Sequence, residues 1–273
     1  MGALYDPPAM DAELELRPAS SFEADELAAL FTRGYEGYSI PLQVDAAALS
    51  SMMRTFDVDL DASRVAVRGD EPVGLANLGI RDRRGWVGGV GVVVEARRRG
   101  VGRVLMEALH DEARARGLEV VRLEVIEDNH AAIRLYEQLG YELVRELAVA
   151  TLADEAADGE GEEVAADEAL GVIRTRRRER EPWQREDETL AHYDDLRGLV
   201  AGDTAAVYRL SSGRVTVLQH AVEERDAERL LRALRVHGPV ALFNVPADDP
   251  ALAALVLLGG SVAVRQRELT LRL

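Results

Sequence analysis

The sequence predicts an α/β protein built from two layered domains, the second smaller than the first, and three observations support this fold class. Strand-like and helix-like segments alternate through the first half of the chain. A strongly acidic segment, residues 153–168, interrupts the alternation. A shorter series of the same kind follows it. We therefore divide the 273 residues into a first domain at 1–152, a linker at 153–185 and a second domain at 186–273.

The first domain begins and ends with a strand. Its clearest helix spans residues 103–116, where Leu105, Leu109 and Ala113 recur every four residues and Gly117 ends the pattern. In chain order we predict a strand at 14–17, helices at 21–33 and 45–55, strands at 64–68, 72–79 and 86–94, the helix at 103–116, a strand at 120–125, a helix at 130–139 and a strand ending near 152.

The second domain repeats the end of the first. We predict strands at 205–210 and 214–219, a helix at 223–236, a strand at 240–245, a helix at 249–258 and a strand at 262–273. A shift of 119 residues places Leu242 on Leu123 and Gly259 on Gly140. This correspondence predicts a degenerate internal repeat.

The segment between the domains is highly charged. Residues 153–168 contain eight acidic residues and no basic ones, and residues 174–180 contain five arginines and one glutamate. Such a composition cannot form a core by itself. Two interpretations stay open: a solvated linker whose two parts offset each other's charge, or an arginine clamp for an acidic partner.

Composition excludes several kinds of chemistry. All 33 basic residues are arginine, so Schiff-base catalysis and a Walker-type phosphate lysine are excluded. The chain has no cysteine, which excludes a thiolate nucleophile, disulfides and cysteine metal sites. The five histidines lack ligand spacing, so we expect no metal site. With 49 acidic residues and a net charge of -16, we expect no nucleic-acid partner.

We expect a cytoplasmic protein with no membrane partner. The first residues lack a basic head followed by an apolar stretch. The longest uncharged apolar run, residues 251–264, has 14 residues, which is too short to span a bilayer.

The strand at 86–94 and the turn after it carry the most informative pattern. Gly89 and Gly91 leave the strand backbone accessible to a ligand. A turn with three arginines and two glycines then opens the long helix, whose N-terminus adds a positive dipole end. This arrangement predicts a diphosphate site, although glycines in a turn and arginines in solvent remain an alternative. A dinucleotide fingerprint fails, because Val94 stands where its third glycine would be.

A second motif follows in the helix at 130–139. Asn129 is a plausible N-cap, and Ala132, Tyr136 and Gly140 follow it at fixed spacing. Together with Arg97, Gly100 and Gly102 of the turn, this segment resembles the GNAT superfamily of acyl-CoA-dependent N-acetyltransferases. The resemblance covers residues 14–152. It implies a mixed central sheet flanked by helices and, given the repeat, a tandem chain whose smaller second domain is a degenerate GNAT-like copy.

The resemblance also implies roles for individual residues. Acetyl-CoA would be held by the backbone of Val90, Gly91 and Val92, by the turn and first helical residues Arg97, Arg98, Arg99, Gly100, Val101, Gly102 and Arg103, and by Asn129 and Ala132. Tyr136 would protonate the departing CoA thiolate, and Glu124 would act as base through water. Tyr136 could instead be core, and Glu124 could face solvent or pair with Arg122 or Arg134. Val94 stands where the family often has proline.

The sequence gives less information about the residues that would bind the acceptor. Tyr35, Glu36 and Tyr38 lie on a loop where this superfamily often lines its acceptor pocket, although loop aromatics also serve packing. Asp57, Asp59 and Asp61 could attract a cationic amine or could be solvated surface. We expect a small-molecule or peptide amine as the acceptor.

The second domain lacks the corresponding parts. Phe243, Asp248 and Leu255 stand where Glu124, Asn129 and Tyr136 stand in the first, and no glycine turn precedes its first helix. We therefore expect it not to bind CoA but to cover the substrate cleft or mediate dimerisation. The prediction for the whole chain is an N-acetyltransferase with direct transfer in a ternary complex. The alternative is a non-catalytic acyl-CoA-binding or regulatory protein.

Overall fold

The computed structural model describes residues 13–38, 43–153 and 159–273. Part of the predicted acidic segment, including Asp154, Glu155 and Asp158, lies outside the described residues. The chain divides into two compact units. Unit 1 comprises residues 1–123, 135–142 and 270–273, and unit 2 comprises residues 124–134 and 143–269.

Unit 1 is a mainly antiparallel sheet with helices. Its strand order is β1-β2-β3-β4-β5, and only the β4–β5 pair is parallel. Its elements are β1 (Leu14–Pro18), α1 (Ala24–Gly34), α2 (Ala46–Thr55), β2 (Val58–Arg68), β3 (Glu71–Arg81), β4 (Arg84–Val92), α3 (Val101–Ala115) and β5 (Val120–Ile126), with α4 (His130–Gln138). The division between units falls within β5 and again within α4.

Local chemistry explains where these helices begin. Glu23 and Glu26 form a reciprocal capping box at the start of α1. The Asp45 carboxylate accepts a hydrogen bond of 2.7 Å from the backbone of Ala48 at the start of α2. The predicted N-cap of α4 is confirmed, because Oδ1 of Asn129 accepts from the Ala132 backbone at 3.2 Å.

The predicted amphipathic helix is α3, and its apolar face lies in the core of unit 1. Leu105, Leu109 and Ala113 are fully buried, as the four-residue spacing predicts. Burial of this face stabilises the unit, because each fully buried large apolar side chain contributes about 1.5–3 kcal/mol.

Unit 2 also has a mixed sheet, in the order β12-β6-β11-β10-β9-β8-β7. Its parallel pair is β10–β11, and β6 pairs antiparallel with β11. Its elements are β6 (Glu142–Leu152), β7 (Glu162–Val164), α5 (Ala166–Arg176), α6 (Asp187–Leu190), β8 (Leu196–Ala201), β9 (Thr204–Ser211), β10 (Arg214–Ala221), α7 (Ala227–Arg235), β11 (Val240–Pro246), α8 (Pro250–Leu257) and β12 (Ser261–Arg272).

The units differ from the domain boundaries predicted at 152 and 186. Most of β6 falls in unit 2 because the strand pairs with β11. The segment predicted as a linker contains β7 and α5, and α5 buries Ala169, Leu170 and Ile173 in a core cluster of unit 2. Much of the segment's arginine run is paired within unit 2: Arg174 and Arg177 bind Asp187, and Arg180 binds Glu186.

The two units contain the same succession of strand pairs. In each, an antiparallel strand pair (β3–β4, β9–β10) leads through a helix into a strand that pairs in parallel for three residues only (β4–β5, β10–β11). Beyond these residues the two strands of each parallel pair form no further pairs with each other in the described part of the chain. Helices long and apolar enough to cross a bilayer are absent from the described part of the chain.

Candidate active site

After Trp86, the edge of β4 that faces β5 has no strand partner among the described residues. Parallel pairing with β5 stops at Trp86 and Arg122, whereas β4 continues to Val92. On its other side β4 stays paired with β3, with Gly88 as an extra, bulged residue between two registered pairs. The residues after the bulge therefore present backbone groups to the gap, and such groups bind a ligand that supplies complementary amides.

Two glycines of β4 are required by close contacts. Gly89 has φ of 154°, and a Cβ placed there would lie 2.2 Å from the hydroxyl of Tyr35. A Cβ on Gly91 would lie 3.2 Å from the Cα of Gly34, at the end of α1. The glycines predicted to admit a ligand thus also admit α1 and the Tyr35 side chain.

The turn between β4 and α3 has a backbone conformation that is suited to an anion. Arg98 and Gly100 have positive φ angles of 61° and 82°, a backbone pattern that turns successive N–H groups toward one side. No side chain caps α3, and its first turn contains no acidic residue. The free N–H groups and the positive end of the helix dipole are therefore available to an anion.

Arg97 and Arg98 of the turn differ in their contacts. The Arg97 guanidinium donates to three backbone carbonyls, those of Val92 at 2.9 Å, Gly34 at 3.1 Å and Glu36 at 2.7 Å. Its side chain therefore holds the turn against the end of α1, rather than standing free for a diphosphate as the sequence suggested. Arg98 is exposed and has no partner in the described part of the chain.

The remaining basic residue at the helix start, Arg103, is already engaged. It hydrogen-bonds Gln138 and lies 3.6 Å from Glu107. Gly102 has room for a Cβ, with the side chain of Leu135 3.7 Å away, so alanine would fit there as well. Among Arg97, Arg98 and Arg103, Arg98 is the best placed to wrap a diphosphate.

Three tyrosines of unit 1 lie together. The Tyr35 ring packs between Phe31 and Tyr38, with ring centroids 4.6 Å and 4.9 Å away and the ring planes tilted in both pairs. Burial raises the pKa of Tyr35, and the neighbouring phenols of Tyr38 and Tyr136 raise it further. Glu36 is exposed, and its carbonyl accepts from Arg97.

Tyr136 combines a buried ring with an available hydroxyl. The residue is 8% exposed and packs edge-on against Tyr141, with centroids 5.7 Å apart. Burial, followed by the nearby Tyr38 phenol, raises the pKa of Tyr136 above its usual value, so the hydroxyl keeps its proton. That hydroxyl has no hydrogen-bond partner among the residues described. Tyr136 therefore packs in the core and still presents a free proton donor.

Glu124 is held by a residue that the sequence did not reveal. The side-chain amide of Gln184 donates to Oε2 of Glu124 at 2.9 Å, within unit 2. Gln184 lies in a short 3₁₀ helix beside Trp183 and Arg185, both buried. No signal in the sequence could have found this contact, because the partners lie 60 positions apart in the chain.

Other predicted residues have structural partners. Asp57 pairs with Arg81 at 2.7 Å, and Asp59 pairs with Arg116 at 2.6 Å, so neither is left free for a cationic amine. Oδ1 of Asn129 accepts the backbone hydrogen bond that caps α4. Within the described ranges, no group of three or more His, Cys, Asp or Glu residues is placed to hold a metal ion.

A sequence profile of the acetyltransferase (GNAT) family matches residues 27–141. Residues 27–141 form a GNAT acetyltransferase domain. The match spans β4 with its unpaired edge, the turn that follows it, β5 and α4, so the predicted family is confirmed. It ends before most of unit 2.

Two curated relatives match parts of the chain. The [ribosomal protein bS18]-alanine N-acetyltransferase of Salmonella typhimurium is 48% identical over 52 residues, which are 19% of this chain and 35% of that protein. An acetyltransferase of Pectobacterium atrosepticum is 37% identical over 91 residues, 33% of this chain and 64% of that protein. The chain therefore spans about a third of the first relative and just under two thirds of the second.

Solved structures match over nearly the whole chain. A GCN5-related N-acetyltransferase from Sphaerobacter thermophilus is 17% identical, with a TM-score of 0.67 over 95% of this chain and 95% of that one. A tandem GNAT protein from the clavulanic acid biosynthesis pathway is 15% identical, with a TM-score of 0.66 over 95% of this chain and 98% of that one. At these identities the likeness concerns the fold, and it confirms the predicted fold class.

Proposed function

We propose that this protein transfers an acetyl group from acetyl-CoA directly to a primary amine in a ternary complex. The observation that carries the proposal is the uncapped N-terminus of α3 in the turn that follows the unpaired edge of β4. These two features supply the two kinds of contact that acetyl-CoA requires, an anion site and a row of backbone groups.

The residues present fit acetyl-CoA. The N–H groups of Gly100, Val101 and Gly102 and the Arg98 guanidinium would hold the diphosphate. The backbone of Gly91 and Val92 would hydrogen-bond the amides of the pantetheine arm. The Val90 backbone would take part in the same contacts.

Tyr136 would serve as the general acid. As the amine nitrogen attacks the thioester carbon, a C–N bond forms, the C–S bond breaks, and its electron pair stays on sulfur. The thiolate, whose conjugate acid has a pKa of about 8.5, then takes the Tyr136 proton. A phenol with a raised pKa does this only when it lies against the sulfur, so Tyr136 must be placed by its packing.

Glu124 would accept the proton that the amine loses, through a water molecule. A carboxylate is a weak base at its ordinary pKa of about 4.3, so its efficiency depends on position. Gln184 fixes Oε2 of Glu124, which supports this assignment because it orients the carboxylate. Since the chain has no cysteine and no lysine, the transfer proceeds without a covalent intermediate on those residues.

The acceptor would enter beside Tyr38 and Tyr136. The Salmonella relative is named for acetylating an alanine of a ribosomal protein, and it matches this chain over 52 residues. A peptide with a free N-terminus is therefore the first amine to test, followed by small amines.

The test has two stages. Acetyl-CoA is titrated calorimetrically into the wild-type protein, Arg98→Ala and Arg214→Ala, an exposed arginine of unit 2 that serves as the control. We expect one site per chain, at least tenfold weaker in Arg98→Ala and unchanged in Arg214→Ala. Release of CoA is then followed with a thiol reagent, which reads only CoA because the protein has no thiol. Binding without turnover across the amine panel would favour the non-catalytic alternative, and no binding would refute both.

A further inference from the structure

Unit 2 contains a large cavity at the carboxyl ends of its own parallel strands. Pairing of β10 with β11 stops at Val217 and Leu242, as pairing stops in unit 1. A cavity of about 980 Å³ lies there, and its lining includes residues 220–224 at the end of β10, residues 246 and 248–250 between β11 and α8, and residues 175–181 at the end of α5. The carboxyl ends of parallel strands are a common place for ligands in α/β sheets, and this volume is in the range of ligand sites.

The cavity is not built for a diphosphate. The segment that leads into α7 carries Glu223, Glu224 and Asp226 instead of a glycine turn. The N-terminus of α8 is capped by Asp249, whose carboxylate accepts from Ala251 at 2.8 Å. The two helix starts next to the cavity therefore carry negative charge, in contrast to the uncapped α3.

The charged side chains around the cavity fall into paired and unpaired groups. Arg145, Arg180 and Arg185 are paired with glutamates. Arg178 is exposed and has no partner among the described residues. Within the same part of the chain, Glu224 and Asp248 also form no ion pair. The cavity thus offers unpaired charged side chains of both signs.

Two buried polar atoms next to the cavity lack partners. Arg177 donates to Asp187 at 2.7 Å and to Gln219 at 2.6 Å, but its buried Nε–H has no acceptor in the described ranges. His220, with a side chain 3% exposed, bonds the Asp249 carboxylate through Nε2 at 2.9 Å, and its buried Nδ1 has no partner there.

The protonation state of Asp249 determines what Nε2 of His220 must donate. Burial acts to raise the pKa of Asp249, but the charge and hydrogen bond of His220 outweigh it and hold the pKa at about 2. An ionised Asp249 can only accept, so Nε2 of His220 carries the proton. The orphaned Nε–H of Arg177 and the orphaned Nδ1 of His220 belong to two residues that line the same cavity.

We propose that this cavity binds a zwitterionic ligand, a free amino acid or a short peptide. Its carboxylate lies toward Arg178 and Nε of Arg177, and its ammonium group lies toward Glu224 and Asp248. A ligand with both groups matches the unpaired charges of both signs and the orphaned Nε–H, whereas a simple anion leaves the carboxylates unmatched. The cavity lining contains none of the residues proposed to hold acetyl-CoA, so the proposal stands whether or not unit 1 is active.

The experiment titrates tri-L-alanine into the full chain by calorimetry. N-acetyl-tri-L-alanine lacks the ammonium group, tri-L-alanine amide lacks the carboxylate, and inorganic phosphate tests a simple anion site. Arg178→Gln and Glu224→Gln change exposed side chains, so the fold is retained. Arg214→Gln, at the opposite end of β10, is the matched control.

We expect tri-L-alanine to bind, with at least tenfold weaker binding in Arg178→Gln and in Glu224→Gln and no change in Arg214→Gln. Each blocked peptide should bind at least tenfold more weakly. Acetyl-CoA affinity should be the same in all variants, which separates this cavity from the acceptor site of unit 1. Failure of tri-L-alanine to bind, equal binding of the blocked peptides or of phosphate, or loss of binding only in the control would overturn the proposal.

Discussion

The side-chain amide of Gln184 donates a 2.9 Å hydrogen bond to Oε2 of Glu124. The donor comes from the segment between the two repeats, and the acceptor lies within β5. Oε1 of Gln184 is itself buried and has no partner among the described residues. The segment that the composition marks as a linker therefore contributes a buried polar group beside the proposed base.

We expect Gln184→Ala to change the pH dependence of acetyl transfer. A hydrogen bond donated to a carboxylate favours its ionised form, so loss of the donor should move the acid limb of the kcat/KM profile to higher pH. Gln184→Glu, which sets a second negative charge there, should move it further. The measurement is kcat/KM against pH for both variants. Superimposable profiles would show that Gln184 is only structural.

Tyr136→Phe should lower kcat about 100-fold and leave the affinity for acetyl-CoA unchanged. The hydroxyl is the proposed proton donor, and general acid catalysis contributes about 10²–10⁴-fold. Tyr141→Phe is the control, since the Tyr141 hydroxyl is bonded to Nε2 of His110 at 3.0 Å and should affect stability instead of rate. A kcat unchanged in Tyr136→Phe would remove the residue from the mechanism.

Arg97→Ala and Arg98→Ala should separate stability from binding. Arg97→Ala leaves the Val92, Gly34 and Glu36 carbonyls without their donor, so we expect a loss of about 2–4 kcal/mol in the free energy of unfolding. Arg98→Ala should leave stability within about 0.5 kcal/mol, because the side chain is exposed. Urea unfolding of both variants measures this, and the reverse order of effects would contradict the assignment.

Gly89→Ala should destabilise the protein by about 1–3 kcal/mol, because its backbone angle disfavours a side chain and its Cβ would meet the Tyr35 hydroxyl. In the double variant with Tyr35→Phe, the oxygen is gone and only the backbone strain remains. The two changes should therefore cost less together than the sum of each alone. Thermal or urea unfolding of the four proteins gives the coupling, and additive losses would rule out the contact.

Buried His110 should make stability depend on pH. Burial lowers the pKa of His110 to about 4 from its ordinary 6.5, so between these values the unfolded chain binds the extra proton. Stability is therefore lost as the pH falls from 6.5 to 4, by about 3 kcal/mol for this group. Comparing unfolding at pH 7 and pH 4.5 in the wild type and His110→Gln isolates the contribution, and equal losses in both would contradict it.

The sequence predicted the parts of the molecule that depend on local chemistry. The four-residue spacing of α3, the Asn129 cap and the glycine turn are readable because each is determined by neighbours in the chain. The helix α5 and the strand β8 were missed. The charged flanks of α5 masked three buried residues on its inner face, Ala169, Leu170 and Ile173. The Gln184–Glu124 and Arg97–Gly34 contacts join residues 60 or more positions apart, so no local pattern could reveal them.

The Arg97 contacts have a consequence for the order of events. One end of this side chain belongs to the turn proposed to bind the diphosphate, and its guanidinium fixes the carbonyls of Gly34 and Glu36, next to Tyr35 and Tyr38. A ligand that orders the turn therefore also orders the loop that would receive the amine, and the two binding free energies are coupled. Each ligand should accordingly increase the affinity of the protein for the other by the same factor, whichever of them binds first.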